Sequence, residues 1–519
     1  MNSQDMKTTV IAKEKFQFAQ LGDRLSDKKL ETKPVGYLKD ALIRFRKNKS
    51  SVIAAFIIAF LVLFAIVAPM ISQYTLQDKD LVYQTKRPYA AIFAPLGFWD
   101  GGYNNMKNES DYLFEHAKFI ETGHNPIIAL HKEITEEVEV IVNGVPQKIT
   151  RKNYDVRIDS YHEVGIIMKN LSAAEYEQVQ AYQDATGRQI IYPLVNKTLL
   201  NGRDETVGGP NYWYCVDKLG KPELDKDGNF IPAYLDKTKP GQSRTDNYTS
   251  QRIKGDVGNY VYAELNQSGY STRICYYEYY IYINGYAPTY LFGTTSLGQD
   301  LFCAIGQGAR FSLMLAIVVS ALNLTIGAIY GAIEGYYGGA IDMILERVSD
   351  VLSGVPFMVV ATLFQMHLAE KVGVVVSFLF AFVMTGWIGM ASLVRKQFYR
   401  FKGQEYILAA KSLGAGDFRI MFKHIFPNSL GTIITSCVLV IPGVISSETM
   451  MTYLGIVDLS GTNNTSIGTL LAQGNTYLTS APHVLFWPSL FLALLLITFN
   501  LFGNGLRDAF NPSLRGAED

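Results

Sequence analysis

Apolar and polar positions in this chain are segregated into long blocks, and those blocks set the first expectation. After a polar stretch ending in KDALIRFRKNKS, the run VIAAFIIAFLVLFAIVAPMI (residues 52–71) carries no charge. About twenty such residues cross a bilayer core as an α-helix, which satisfies its own backbone groups there. The plainer alternative, a buried core helix, is uncommon at this length for a run that is apolar on every face. Five further runs of this kind follow at 311–333, 351–369, 372–394, 430–447 and 483–506. The third span is interrupted by Gly354 and Pro356 and the last contains Trp487 and Pro488, residues that membrane helices tolerate where neighbours restore backbone partners. Six transmembrane helices are therefore predicted, the first over 51–73.

Between the first and second runs the character changes. Residues 74–287 hold no spanning run and are rich in Tyr, Asn, Gly, Asp and Lys, as a soluble domain would be. In VEVIVNGVPQKI, Asn143 and Gly144 stand where a tight hairpin turn needs residues tolerant of positive φ. LSAAEYEQVQAYQDATG offers Ser172 and Glu175 as a capping box and Gly187 as a stop, which predicts a helix. The Tyr- and Ile-rich CYYEYYIYINGY, from Cys275, reads as a strand. The expected fold class is a mainly α-helical polytopic membrane protein with six transmembrane helices and a mixed α/β domain inserted between helices 1 and 2. Its parts are a tail over 1–50, the insert over 74–287, a membrane core over 288–506 and a tail over 507–519.

Charge adds orientation. The chain has 47 Lys and Arg against 47 Asp and Glu, so its net charge gives no reason to expect nucleic acid. Short cationic loops stay on the cytoplasmic side. Arg44, Arg46, Lys47 and Lys49 before the first run, Arg347, the cluster Arg395, Lys396, Arg400, Lys402, Lys411, Arg419 and Lys423, and the terminal Arg507 and Arg515 all fall on one side if the N-terminus is cytoplasmic. Both termini are then cytoplasmic, the insert is extracellular, and the protein is a multi-pass component of the cell membrane. The N-terminus lacks the pattern of a cleavable signal, so the first run is expected to remain. The four cysteines form no CxxC pair or Cys/His cluster, which argues against a bound metal or redox centre. In an extracellular insert, Cys215 and Cys275 are candidates for a disulfide, with two free thiols as the alternative.

One polar stretch stands between two apolar runs: GQEYILAAKSLGAGDFRIMFKHIFPN, residues 403–428. A short cationic helix there must meet either lipid headgroups or another protein. The segment resembles the cytoplasmic EAA loop in permease subunits of binding-protein-dependent ABC importers, most closely the oligopeptide/dipeptide branch. Ala409, Ala410, Gly414 and Pro427 match the loop's pattern and Glu405 resembles an additional upstream acid, while Leu408 stands where the general pattern has glutamate. Three further stretches extend the likeness: FGTTSLGQDLFCAIGQGARFSL from Phe292, EGYYGGAIDMILERVSDVLSGVPF, and FNLFGNGLRDAFNPSLRG with Leu506, Arg507, Asp508 and Pro512. The insert lies outside this resemblance.

The resemblance implies a type I ABC importer permease that moves oligopeptides or dipeptides. It implies as partners a second homologous permease subunit, two ATP-binding subunits and an extracellular substrate-binding lipoprotein, besides membrane lipids. Glu405, Ala409, Ala410, Gly414 and Pro427 would couple the chain to the ATPase. No GxxxxGK[ST] phosphate loop occurs, so ATP is expected to be used by partner subunits, with no cofactor bound here and no enzymatic activity in this chain. Glu448, Met450 and Met451, at the end of the fifth span, are candidates for a gate or pore lining, against the plainer reading of packing residues and an acid paired with a partner. Two other classes remain open at this stage. An ion-coupled secondary transporter would want charged residues near span centres, and a membrane-anchored sensor would have no need of a motif-bearing inner loop.

Overall fold

The computed structural model describes residues 37–142, 145–200, 209–217, 221–239, 259–267, 269–459 and 464–510. The Asn143–Gly144 turn, most of the N-terminal tail, and Pro512 and Arg515 lie outside the described residues. The chain opens with α1 (Tyr37–Lys47), whose last turn carries Arg44, Arg46 and Lys47, cations suited to the negative end of a helix dipole. Ala41 and Phe45 are its buried face. Asn48 then caps α2 (Lys49–Ile71) by accepting from the Ser51 amide, and the helix carries the first apolar run.

The inserted domain contains two antiparallel sheets. The first orders β1 (Gly102–Asn108), β3 (Val145–Asp159) and β2 (Ile127–Val142) as β1-β3-β2, with α3 (Glu109–Thr122) between β1 and β2 in sequence. β2 and β3 pair from Val142↔Val145 outward along a long ribbon. The second sheet orders β4 (Ile166–Leu171), β7 (Gly269–Cys275) and β5 (Ile191–Tyr192), with β6 (Ala263–Asn266) also paired to β7. Helix α4 (Ala173–Thr186) follows β4, and its Ser172–Glu175 capping box forms as predicted. A buried pair, Glu121 with Arg273 at 2.8 Å, ties α3 to β7, and burial pushes the Glu121 carboxyl up although the guanidinium opposes it.

Two expectations for the insert are overturned. The Tyr-rich segment after Cys275 is a helix, α5 (Tyr276–Asn284), stopped by Gly285 at φ +78°. Strand propensity is a weak preference that packing overrides: the buried Tyr279 and Tyr280 lie at helical spacing from Tyr276 and join separate aromatic clusters. The proposed Cys215–Cys275 disulfide is absent and both thiols are free and buried. Cys215 packs with Trp213 and Tyr214, whereas Cys275 packs with Ile166 and Tyr192 in a different cluster, where burial pushes its thiol up to about 12.

The two chain ends of the insert meet the membrane part side by side. At the end of α2, the Ser72 hydroxyl donates to Asp300 Oδ2 (2.8 Å), and Asp300 in turn caps α6 (Leu301–Tyr337) through the Phe302 and Cys303 amides. The Gln299 side chain donates to the Leu76 carbonyl beside this tie. The membrane core continues with α7 (Gly339–Ser353), α8 (Phe357–Val372), α9 (Val374–Thr385), α10 (Ile388–Lys402), α11 (Glu405–Ser412), a short turn α12 (Asp417–Arg419), α13 (Phe426–Tyr453), α14 (Ile467–Asn475) and α15 (His483–Phe510). Among the described residues five helical stretches are long and apolar enough to cross a membrane, or six if the bent pair α7–α8 is one span.

That bent pair turns the interruption read at Gly354 and Pro356 in the run over 351–369 into a sharp bend. α7 and α8 meet at 74° across Gly354, Val355 and Pro356. Pro356 lacks an amide hydrogen and restricts Val355 before it, so a straight helix would lose a backbone bond and meet a steric clash.

Helices α6 and α10 approach closely because Gly327, Gly331 and Gly335 repeat every fourth residue on one face of α6. A Cβ at Gly331 would run into the Ala391 carbonyl, and one at Gly335 would lie 2.6 Å from Phe398 Cβ. Small residues at this spacing let membrane helices pack backbone to backbone. Gly331→Leu is therefore expected to separate the pair and lower the melting temperature of the purified protein by several degrees, overpacking costing about 1–3 kcal/mol. An unchanged melting curve would contradict this account of the contact.

Candidate functional site

The 403–428 segment forms a compact hook. α11 starts after Gln404, and exposed Glu405 lies in its first turn, where a carboxylate suits the positive end of the helix dipole. Ile407 is the buried residue of α11 and packs with Val394, Phe398, Ile420, Met421 and Ile425. The neighbouring Tyr406 hydroxyl accepts from Asn428 Nδ2 at 3.3 Å, across the hook. Ala409 is exposed and Ala410 half-buried.

Gly414 ends the helix. At φ +85° its amide donates to the Lys411 carbonyl and that of Ala415 to the Ala410 carbonyl, each at 3.0 Å, the paired bonds of a Schellman stop. The return path runs through α12 and a π-type turn, Ile420–Ile425, whose Ile420, Met421 and Ile425 are buried. Pro427 then sits in the first turn of α13, directly after the π-type turn that leads into it.

Sequence reasoning missed what the hook presents at its tip. Leu413 is 89% exposed and Phe418 72% exposed, with Leu408 exposed beside them. Large apolar side chains this open, on a backbone fixed by a Schellman stop and a buried isoleucine, form a knob that the described residues leave uncovered. The available signal was an apolar pattern inside a cationic loop: Leu408, Leu413 and Phe418 recur every five residues among Lys411, Arg419 and Lys423.

The hook is fastened to the long helices. The Tyr336 hydroxyl, at the end of α6, donates to Asp417 Oδ1 at 2.6 Å, and Lys402 at the end of α10 donates to the Gly335 carbonyl at 2.9 Å. Two turns back along α10, Arg395 grips α7. Its Nε and Nη2 donate to both oxygens of Asp342 (2.6 and 2.8 Å), and Nη1 and Nη2 to those of Glu346 (2.7 and 3.1 Å). Tyr399 adds a hydroxyl bond to Asp342 at 2.6 Å. In the sequence reading Arg395 was only a charge that set orientation.

The gate candidates do not share a face. Glu448 is fully buried, accepting from Ser312 Oγ of α6 at 2.8 Å and from Thr452 Oγ1 at 3.3 Å. It is thus paired inside this chain, not held for a partner. Met451 is buried as well, and Met450 alone of the three is open, at 52%. Glu448 and Met451 therefore pack α13 against its neighbours, and Met450 is the exposed one of the three.

Two family models match the chain. Residues 323–516 match the binding-protein-dependent transport system inner membrane component, and residues 36–95 match the N-terminal TM domain of oligopeptide transport permease C. Neither reaches residues 96–322. The oligopeptide transport system permease protein OppC of Bacillus subtilis (strain 168) is 39% identical over 227 residues, 43% of this chain and 72% of that protein. The dipeptide transport system permease protein DppC of the same organism is 38% identical, covering 43% of this chain and 69% of its own length. OppC of Escherichia coli (strain K12) is 33% identical, with 43% and 72% covered. Among solved structures, the inward-facing MetNI methionine ABC transporter aligns at 15% identity over 40% of this chain and 96% of that chain, with a TM-score of 0.34.

Proposed function

This chain belongs to the binding-protein-dependent transport system inner membrane components, in their oligopeptide and dipeptide permease branch, and we propose that it moves short peptides inward across the cell membrane, driven by ATPase subunits that grip the 403–428 hook. The observation that carries this reading is the exposed knob of Leu413 and Phe418 on a hook bonded to α6 and α10. A partner that closes on the knob pulls on both long helices. Glu405, Ala409, Ala410 and Gly414 shape the docking surface, and Pro427 starts the helix that carries the motion back into the membrane.

In this reading both termini and the hook are cytoplasmic and the inserted domain is extracellular. The distribution of Lys and Arg supports that orientation. A second permease subunit completes the pathway, two ATP-binding subunits consume the ATP, and an extracellular binding lipoprotein delivers peptide. No cofactor is assigned to this chain. Met450 is the residue assigned to the passage.

The test is uptake of a labelled oligopeptide into membrane vesicles. Uptake should require both ATP and the partner ATPases, and uptake driven by an ion gradient alone would overturn the reading. For the insert, the role proposed is docking the binding lipoprotein or shielding the mouth of the passage, motivated by its place between the first two spans. Removal of residues 80–280 with uptake and lipoprotein affinity both intact would discard it.

A further inference from the structure

At the base of the inserted domain, residues 88–99 (PYAAIFAPLGFW) carry no charge, between Arg87 and Asp100. Most of the loop faces outward: Ile92 is 84% and Leu96 68% exposed, with Phe93 and Phe98 also exposed. Its shape is held from within. A single 3-10 turn, Ala94–Leu96, is closed by Gly97 at φ +82°, and the Phe93 ring stacks 5.6 Å from Phe98. The amides of Ala90, Phe93, Ala94, Leu96 and Gly97 all find carbonyls inside the loop. From 91 to 98 no side chain bears a hydrogen-bonding group. A loop with about half its backbone groups paired and its exposed side chains wholly apolar is suited to the boundary between headgroups and hydrocarbon, where water and headgroups meet the remaining backbone groups, and poorly suited to open water.

Its depth is set by α15. The Trp99 ring lies 6.0 Å from that of Trp487 and nearly parallel to it, and Trp487 stacks on Phe292 at 4.3 Å. Trp99 Nε1 donates to the Leu291 carbonyl and Arg87 Nη2 to the Ser480 carbonyl. Trp487 is four residues into α15, roughly 6 Å along its axis from the start. The loop therefore lies level with the first turn of a membrane span, at the height where aromatic belts meet the headgroups. The bounding charges are drawn away from its tip: Arg157 holds both oxygens of Asp100 at 2.6 Å, and Arg87 points to Ser480.

We propose that residues 88–99 form a wedge immersed in the interfacial region of the bilayer, with lipid as its occupant, fixing the base of the inserted domain to the membrane surface. The choice of lipid rests on continuity with the belt at Trp487 and on the lack of polar side chains that a protein partner would use for registry. It depends on α15 spanning the membrane, which the test checks separately.

Ile92→Cys, Leu96→Cys, Leu494→Cys within α15 and Glu136→Cys on the β2–β3 ribbon are each labelled with an environment-sensitive fluorophore. The native cysteines are replaced, and the complete transporter is placed in nanodiscs without quencher, with lipids spin-labelled near the headgroup, or, for position 494, with lipids spin-labelled along the acyl chain. Positions 92 and 96 should lose at least about half their emission and position 136 little, since an interfacial segment sits about 5–10 Å into the headgroup and acyl boundary. Quenching at 494 but not at 92 or 96 overturns the wedge while leaving the span in place. Failure at 494 as well overturns the membrane reading on which the wedge rests. Near-complete cross-linking of position 92 to the second permease subunit would replace lipid by protein as the occupant and also overturn the proposal.

Discussion

Leu413→Asp is expected to stop ATP-driven uptake while leaving the chain in the membrane at its usual level. The side chain touches little of its own protein, so the substitution spares the fold. At a docked interface, however, it buries a carboxylate without a partner. That costs about 3 kcal/mol or more, so the ATPase should bind roughly a hundredfold more weakly. Leu413→Met conserves volume and apolar character and should retain most activity. Co-purification of the ATPase subunits reports docking directly, and transport assays report its consequence. Gly414→Asp should fail for an added reason, because the Schellman stop requires positive φ and a side chain there is strained. Unimpaired docking in Leu413→Asp would remove the knob from the mechanism.

Arg395→Ala carries the second large effect, on the geometry of the membrane core. The substitution removes four charge-assisted hydrogen bonds and leaves Asp342 and Glu346, one turn apart on the same face of α7, without the guanidinium they share. Truncating one partner of such a cluster costs about 2–5 kcal/mol. The apolar face of α7, with Ile341, Met343, Ile344, Val348 and Val351 exposed, is left uncovered by the described residues, and the bond from the Tyr330 hydroxyl to the Leu345 carbonyl is the weaker hold that remains. The α7–α10 spacing should broaden in pulsed electron resonance between spin labels on the two helices, and uptake should fall by tenfold or more. Arg395→Lys should recover little, since a single ammonium cannot reproduce a fork that engages two carboxylates. A narrow, unshifted distance distribution in Arg395→Ala would show that α7 is held by other means.

Much of the membrane part was legible because lipid imposes a one-dimensional rule. A span needs about twenty residues without charge, and such runs can be read without knowing their neighbours. The capping box at Ser172 was legible for the same reason, since its partners lie three residues apart. What escaped depended on contacts distant in sequence. Arg395 meets Asp342 and Glu346 only after two intervening helices have folded back, and the tyrosines after Cys275 become helical because of the clusters they join. Gly354 and Pro356 were visible as interruptions, yet an uncharged run gives no sign of how sharply it bends. In the hook, the glycine stop and the alanines could be placed from their spacing. The exposure of Leu413 and Phe418 could not, since exposure is a property of the assembled surface. The cysteines make the same point, as composition allowed a pair that the separate clusters around Cys215 and Cys275 exclude.

The tie between Ser72 and Asp300 gives the inserted domain a mechanical character. Both of its chain ends meet the membrane core at this hydrogen-bonded joint and its base is also tied to α15 through Arg87 and Trp99, so the domain follows any shared tilt of these helices as a lever follows its mount. β2 is 16 residues long, which at about 3.3 Å per residue makes an arm of roughly 50 Å. A tilt of about 10° at the joint sweeps the far end of such an arm through roughly 9 Å. Small angular changes deep in the bilayer are thereby magnified into displacements large enough for a pair of dyes to follow, one turnover at a time.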